Sequence, residues 1–323
     1  MLREKKPTKY LLIFGLISLI IIFSVYYYTI KPIPLVNRAG GVDKFGIREI
    51  YPTKFNGDEW FMNMNNPNND TQTYPQVRLI KNNDSSNSWK IKNIEVRYNV
   101  YTSSGFQPKL ITTLNQTILS KKGYMQSSND WKNVEMTGYF KMNNFTNSTA
   151  NGVAHIELVA RGAKNTNNNT LINGYPEKCE STTYHSNTYE TGRAKFEKDL
   201  EHIQGYTTND TENVHAINSS LLGRWIGLKA VYYNTPDNFV RLEQYVDKDS
   251  NNKWIRVLSY LDNGFWGGGI PQCGGTSKQI ITWGGPIAIF RWDNINDMDI
   301  KNFSIREIQP YITNKTATKQ VSS

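Results

Sequence analysis

Cysteine is nearly missing from this chain: Cys179 and Cys273 are the only two in 323 residues. Neither has a second cysteine beside it, which argues against a thiolate metal centre or a catalytic thiol. Basic clusters are missing too. The formal net charge is +9, but residues 1–31 hold five bases and one acid. The remaining +5 is scattered among acids, without the Lys/Arg-rich stretch of a nucleic-acid surface, so nucleic acid is not an expected partner. No long amphipathic helix can be traced beyond residue 31.

What is present begins with the apolar run Tyr10 to Ile30, free of charge and preceded by Arg3, Lys5, Lys6 and Lys9. As a helix it is long enough to cross the hydrocarbon core of a bilayer. A cleaved signal peptide is the competing reading, but that has a shorter apolar core and a small-residue cleavage site. Here the run ends in Val25-Tyr26-Tyr27-Tyr28-Thr29-Ile30-Lys31-Pro32, whose tyrosines resemble an interfacial aromatic belt. The expectation is a cytoplasmic basic tail over 1–9, a transmembrane signal-anchor helix over 10–30 and an extracellular C-terminal domain on the cell membrane.

Residues 31–44 read as a stalk, 45–312 as one domain, and 313–323 as a polar, disordered tail. In an oxidising compartment the lone pair Cys179 and Cys273 most simply forms one disulfide. Closing a loop of about 95 residues would contribute roughly 4–5 kcal/mol in the chain-entropy model. Asn-x-Ser/Thr sequons at Asn69, Asn83, Asn115, Asn144, Asn147, Asn168, Asn209, Asn218, Asn302 and Asn314 suit a glycoprotein. An Asn- and Thr-rich chain also makes sequons by chance.

Between stalk and tail run many short β-type segments separated by Gly, Asn, Asp and Pro, which predicts an all-β sandwich or barrel. Alternation with period 2 is clearest in four segments, 131–142, 154–161, 225–233 and 240–246. Their inner sets are Val134, Met136, Phe140 and Met142; Ala154, Ile156, Leu158 and Ala160; Ile226, Leu228 and Ala230; and Val240, Leu242, Gln244 and Val246. Residues 279–292 are apolar on both faces and read as a buried strand, or as two divided at Gly284-Gly285-Pro286. Ile47-Arg-Glu-Ile50 recurs as Ile305-Arg-Glu-Ile308, which suggests first and last strands lying close together. The region 77–125 is less regular and leaves room for a helical excursion at 108–121.

The stretch Gly223-Arg-Trp-Ile-Gly-Leu-Lys-Ala-Val-Tyr-Tyr-Asn, then Val240-Arg-Leu-Glu-Gln-Tyr-Val-Asp and Asn252-Lys-Trp, resembles the concanavalin A-like sandwiches of laminin-G-type, lectin and polysaccharide-lyase modules. The resemblance covers roughly 130–310. It implies an antiparallel jelly-roll β-sandwich with one sheet curved into a groove that meets carbohydrate. Two departures matter. The glucanase branch carries Glu-x-Asp-x-x-Glu on one strand, and no such run exists here, so the close carboxylate pair of retaining hydrolysis is missing. The alginate-lyase branch displays Arg-x-Glu, Gln-x-His and tyrosine-rich strands, which Arg48-Glu49, Arg306-Glu307 and Gln272 do not match.

Four groups of residues are candidates for a site. The densest titratable cluster runs Arg193-Ala-Lys-Phe-Glu-Lys-Asp-Leu-Glu-His202 and ends at Tyr206. A β-eliminating lyase must neutralise a uronate, take a proton and protonate a leaving oxygen, and Lys198, His202 and Tyr206 could supply those roles. A solvated charge run is the plainer reading. Lys198 also shares strand parity with apolar Phe196 and Leu200, so displaying it needs a bulge or helical turn. Second, the polar faces of the alternating strands carry Glu135, Tyr139, His155, Glu157, Arg161, Lys229, Tyr233, Arg241, Glu243 and Tyr245. Interleaved tyrosines and charges suit sugar binding, and they equally suit a wet sheet face with cross-strand ion pairs.

Third, Asp247-Lys-Asp-Ser-Asn-Asn resembles the opening of a calcium loop, with Asp247, Asp249 and Asn251 as ligands to Ca2+. It lacks the Gly at position six and the Glu at twelve, and a hairpin tip explains it as well. Fourth, Asp262-Asn-Gly-Phe-Trp-Gly-Gly-Gly and Trp283-Gly-Gly-Pro form a belt without a phosphate-binding pattern. Phe265 and Trp266 there are either sugar platforms or core closure.

Together these features predict a membrane-anchored, lectin-like protein whose partner is a polysaccharide or surface glycan. The alternatives are a polysaccharide lyase acting on acidic glycans and a structural envelope protein without a small ligand.

Overall fold

The computed structural model describes residues 41–74, 78–102, 130–146, 153–162, 183–200, 214–267 and 277–310. The expected anchor at 10–30, Cys179, Cys273, His202, Tyr206 and the 108–121 segment lie outside them, as do the sequons at Asn115, Asn147, Asn168, Asn209 and Asn314. Among the described residues no helix is long and apolar enough to cross a membrane.

The described chain is an all-β sandwich of two antiparallel sheets. Its strands are β1 (Glu59–Phe61), β2 (Thr73–Tyr74), β3 (Ile80–Lys81), β4 (Trp89–Ile91), β5 (Glu95–Tyr101), β6 (Val134–Phe145), β7 (His155–Gly162) and β8 (Thr183–Tyr189). They continue with β9 (Arg193–Asp199), β10 (Val214–His215), β11 (Trp225–Asn234), β12 (Val240–Asp247), β13 (Ile255–Asp262), β14 (Ile287–Asp293) and β15 (Ile295–Glu307). One sheet has the order β13-β12-β11-β6-β15-β4-β3, with β1 also pairing β15, and the other has β10-β9-β8-β7-β14-β5-β2.

The period-2 sets point where their parity sends them. Val134, Met136, Phe140 and Met142 meet Ile156, Leu158, Phe196, Phe290 and Trp292 in one core between the sheets. Each such side chain, once buried, stabilises the fold by about 1.5–3 kcal/mol. The Ile-Arg-Glu-Ile copies do lie side by side, since Arg306 Nη1 is 3.0 Å from Glu49 Oε1 and Thr53 bridges Ile308. Only the second copy is a strand. The first belongs to an irregular strap, residues 43–57, laid across the outer face of the eight-stranded sheet. The expected buried run 279–292 is also shorter than its pattern. Only β14 is strand, and Gly285 passes so close to β7 that a Cβ there would sit 2.3 Å from Gly162 O.

Candidate functional site

The register of the seven-stranded sheet lines up side chains from five strands on its outer face. Arg97, Arg291, Glu157, Asn187 and Lys195 form one row across β5, β14, β7, β8 and β9. On one side of it run Asn99, Ile289, Val159, His185 and Glu197, and on the other Glu95, Asp293, His155 and Tyr189. The strands hold these positions because the alternate residues, such as Val96, Tyr98, Ile156, Leu158, Phe290 and Trp292, are locked in the core.

Glu157 is the hub. Its Oε1 lies 2.8 Å from His155 Nε2, and its Oε2 lies 2.7 Å from His185 Nδ1 and 3.3 Å from Arg291 Nη1. Arg291 also holds Asp293 Oδ2 through Nε at 2.9 Å and Nη2 at 2.6 Å, while Arg97 Nη1 reaches Asp293 Oδ1 at 2.5 Å. Burial by itself would raise the pKa of Glu157. The charge of Arg291 and the bonds from both imidazoles win, and hold its carboxyl well below the usual range.

His155 completes the charge pattern. Its Nδ1 is 2.6 Å from Val153 O, and its Nε2 faces Glu157. A carbonyl and an ionised carboxylate can only accept, so both ring nitrogens donate and the ring is an imidazolium. Burial opposes that charge, but the bond to Glu157 and its negative charge outweigh it and raise the pKa of His155. His185 lies on the other side of Glu157, with Thr183 Oγ1 2.7 Å from its Nε2. Among the groups in contact, two guanidiniums and one imidazolium thus face two carboxylates, and the exposed Glu95 adds a further negative charge on the same face. The rim is wet, with the side chains of Arg97, His155 and Arg291 exposed by 23%, 16% and 13%.

The donor atoms of His155, Glu157 and Asp293 lie within 4.8 Å of one another, close enough to share a cation. Arg97 and Arg291 already neutralise both carboxylates, and His155 Nε2 carries a proton. Those pairings disfavour a metal ion at this place.

The sequence-predicted residues end up in three places. Glu135, Tyr139, Lys229, Tyr233, Glu243 and Tyr245 do share one face, on β6, β11 and β12, but it is buried under the strap. Lys229 Nζ bonds Glu135 Oε1 at 2.7 Å, Arg306 Nη2 lies 3.0 Å from Glu135 Oε2, and the N–H groups of Ile50 and Tyr51 donate to that same oxygen. Tyr51 and Tyr245 both donate to Glu243 Oε2. Arg241 stays half-buried near Ser259. His155, Glu157 and Arg161 do not join this face, because β7 belongs to the other sheet. Arg161 leaves both faces. At a register shift its φ is 75°, and the side chain turns inward to donate to Ile281 O at 2.7 Å. Burial pushes its pKa down to about 10.

Lys198 is a core residue, not a displayed acid or base. Parity sends it inward, where Nζ donates to Asp262 Oδ2 at 2.7 Å and to Trp266 O at 2.8 Å. Burial draws its pKa down against the pull of Asp262. The calcium-like run is a hairpin tip. Asp247 is buried, with Oδ2 accepting from Tyr139 OH and Asn252 N and Oδ1 from Asn251 N, while Asn251 Oδ1 accepts from Lys253 N. Asp249 and Asn251 are exposed. Of the belt aromatics, Trp266 closes the core and Phe265 is 77% exposed.

Sequence reasoning missed Arg97, His185, Arg291 and Asp293. Their signal was the alternation itself: Glu95, Arg97 and Asn99 alternate with Val96, Tyr98 and Val100. Thr183, His185 and Asn187 alternate in the same way with Tyr184 and Ser186.

No protein-family model matches the chain, and no curated protein sequence matches it. Among solved structures it is similar to the exoplasmic/lumenal domain of VIP36 in a Ca2+- and mannose-bound form, at 10% identity and a TM-score of 0.38 over 79% of this chain and 85% of that one. A marine alginate lyase from Aplysia kurodai matches at 8% identity and a TM-score of 0.37, over 72% of this chain and 87% of that one. A galectin-like protein from Bacillus subtilis matches at 10% identity and a TM-score of 0.36, over 81% and 100%. These neighbours are concanavalin A-like jelly rolls. At such distances the chemistry of this chain has to be read from its own residues.

Proposed function

We propose that this chain is a lectin-type carbohydrate-binding protein whose sandwich is a concanavalin A-like jelly roll. It takes acidic glycans on the outer face of the seven-stranded sheet. One observation carries the reading: three cationic side chains, Arg97, Arg291 and His155, converge at one rim and stay part-exposed to solvent. Guanidiniums suit a carboxylate or sulfate, which they can grip with two parallel hydrogen bonds. The signal-anchor at 10–30 would hold this domain outside the cell, tail inward. Exposed Asn69, Asn83 and Asn144 offer sequons for glycosylation there.

A lyase is the second reading, favoured by the Tyr189 ring 5.3 Å from the ring of His155. β-Elimination needs a free base. Both ring nitrogens of His155 and of His185 are already engaged, and burial together with the charge of Glu197 raises the pKa of Tyr189. Binding is therefore the stronger reading.

The test is a glycan array probed with the purified full chain, followed by ultraviolet scans of the bound acidic glycans for unsaturated uronate. Salt-sensitive binding to acidic and not neutral glycans, with no new absorbance, is the expected result. Growing absorbance would make the protein a lyase. Silence on every glycan would turn the assignment to a structural envelope protein.

A further inference from the structure

Beside the charged cluster, at the same end of the sandwich, lies an open groove of about 620 Å3 lined by Phe145, Glu190, Thr191, His215, Ser219 and Ser220, among others. That volume falls in the range of ligand clefts, roughly 300–1,000 Å3. The two places are covalently and structurally continuous. Glu190 follows Tyr189, whose ring packs against His155, and Glu190 N donates to the carbonyl of Ala154, the residue before His155. The far wall is tied to the same turn, since Ile217 N donates to Gly192 O and Leu221 N to Glu190 O.

Its chemistry is the opposite of the cluster's. Hydroxyls line it, with an aromatic ring and the His215 imidazole at its sides and the carboxylate of Glu190, whose buried Oε2 has no hydrogen-bond partner among the described residues. Among the described residues neither Lys nor Arg lines it, and Arg224 divides its guanidinium between Ser219 Oγ at 2.8 Å and Lys248 O at 2.7 Å. A carboxylate accepts hydrogen bonds from sugar hydroxyls and an aromatic face covers sugar C–H, whereas a second uronate here would meet like charge.

We infer that the groove holds the neutral, hydroxyl-rich sugar next to the acidic one, so that the ligand is a mixed acidic–neutral heteroglycan and not a homopolymer of uronate. This rests on the acidic-glycan reading above.

The experiment titrates the full chain with alternating glucuronate–N-acetylglucosamine oligosaccharides and with oligogalacturonates of equal length. The alternating chain should bind about tenfold more tightly. Glu190→Gln should narrow that gap, strengthening the oligogalacturonate and weakening the alternating chain. Thr191→Arg, on the exposed wall, should narrow it independently by adding a cation. Equal or tighter binding of oligogalacturonate by the natural chain would overturn the inference and leave the acidic-glycan reading standing. A gap unmoved by either variant would overturn it as well. Binding of neither acidic oligosaccharide would bring down the acidic-glycan reading, and the inference with it.

Discussion

On the eight-stranded sheet, Glu135 holds Lys229 and Arg306, and the chain's own Ile50 and Tyr51 N–H groups occupy its remaining acceptor sites. On the seven-stranded sheet, Glu157 holds Arg291, His155 and His185, and the cations at its edge reach water. Both faces place one buried glutamate among basic groups from neighbouring strands. In the first, the strap of residues 43–57 completes the shell and shuts it. In the second, three part-exposed cations border the hub and nothing from the described chain closes over them. A carboxylate completed by its own chain acts on stability, while one that leaves its cations facing solvent is arranged for an outside anion.

The sharpest way to break this comparison is to neutralise each hub. Glu135→Gln takes the carboxylate partner from buried Lys229 and one of the two from Arg306, which keeps Glu49, and should destabilise the fold by about 3–5 kcal/mol in denaturant titrations. Affinity for acidic glycans, measured well below the unfolding midpoint, should stay within about twofold, or about 0.4 kcal/mol. Glu157→Gln should lose comparable stability and glycan affinity together. If Glu135→Gln abolished binding while the protein was still folded, the two faces would not be independent.

The next largest effect concerns the rim. Arg97 is a part-exposed cation whose bond to Asp293 is one that water can replace. Arg97→Ala should cost at most about 1 kcal/mol of stability. Its loss from a charge-assisted contact of about 1.5–3 kcal/mol should weaken acidic glycans roughly ten- to a hundredfold. A stability loss without a change in affinity would make the rim structural, like the other face.

Why was one face legible in the sequence and the other not? Period 2 fixes parity, and parity was right for Val134, Leu158, Leu228 and Leu242, all now in the core. It also warned against Lys198, which shares parity with Phe196 and indeed points inward. Parity is silent on which sheet a strand joins, so His155 and Glu157 were grouped with Glu135 and Lys229, residues of the opposite sheet. It is equally silent on what covers a polar face. The strap that closes over Glu135 is irregular and comes from far along the chain. Arg161 shows the remaining gap: a left-handed residue at a bulge reverses its side chain, and its neighbours in sequence give no sign of it. Arg291 hid in a run that looked apolar throughout, with Asp293 just beyond its end, because Ile287 and Ile289 on the same face are apolar and buried.

A subtler contrast lies in pH. The pKa of His155 is raised, so its contribution to charge and stability is complete below the ordinary histidine value and fades as pH climbs through the raised one. The pKa of Glu157 is depressed, so its contribution is present above the ordinary carboxylate range and fades only as pH falls through the lowered value. Acidic-glycan affinity should therefore decline on the alkaline side, above about pH 6.5. His155→Gln should flatten that slope in titrations across the range. A slope that survived the substitution would assign the titration to another group.

The smallest effect tests how the closed face is kept shut. Lys54 Nζ lies 3.1 Å from Glu307 Oε2 at the edge of the strap, with the Lys54 side chain 37% exposed. Glu307 does not depend on it, since Asp58 N also donates to that oxygen at 3.1 Å. A half-wet ion pair gives up little on removal, because water and side-chain entropy repay most of it. Lys54→Ala should thus lower stability by about 0–1 kcal/mol, with binding unchanged. The strap's grip would then reside in the buried clamp on Glu135, where two backbone N–H groups meet a carboxylate that water does not reach. A loss from Lys54→Ala as large as that from Glu135→Gln would instead make the closure an electrostatic latch at the rim, and salt would then open the face that now stays shut.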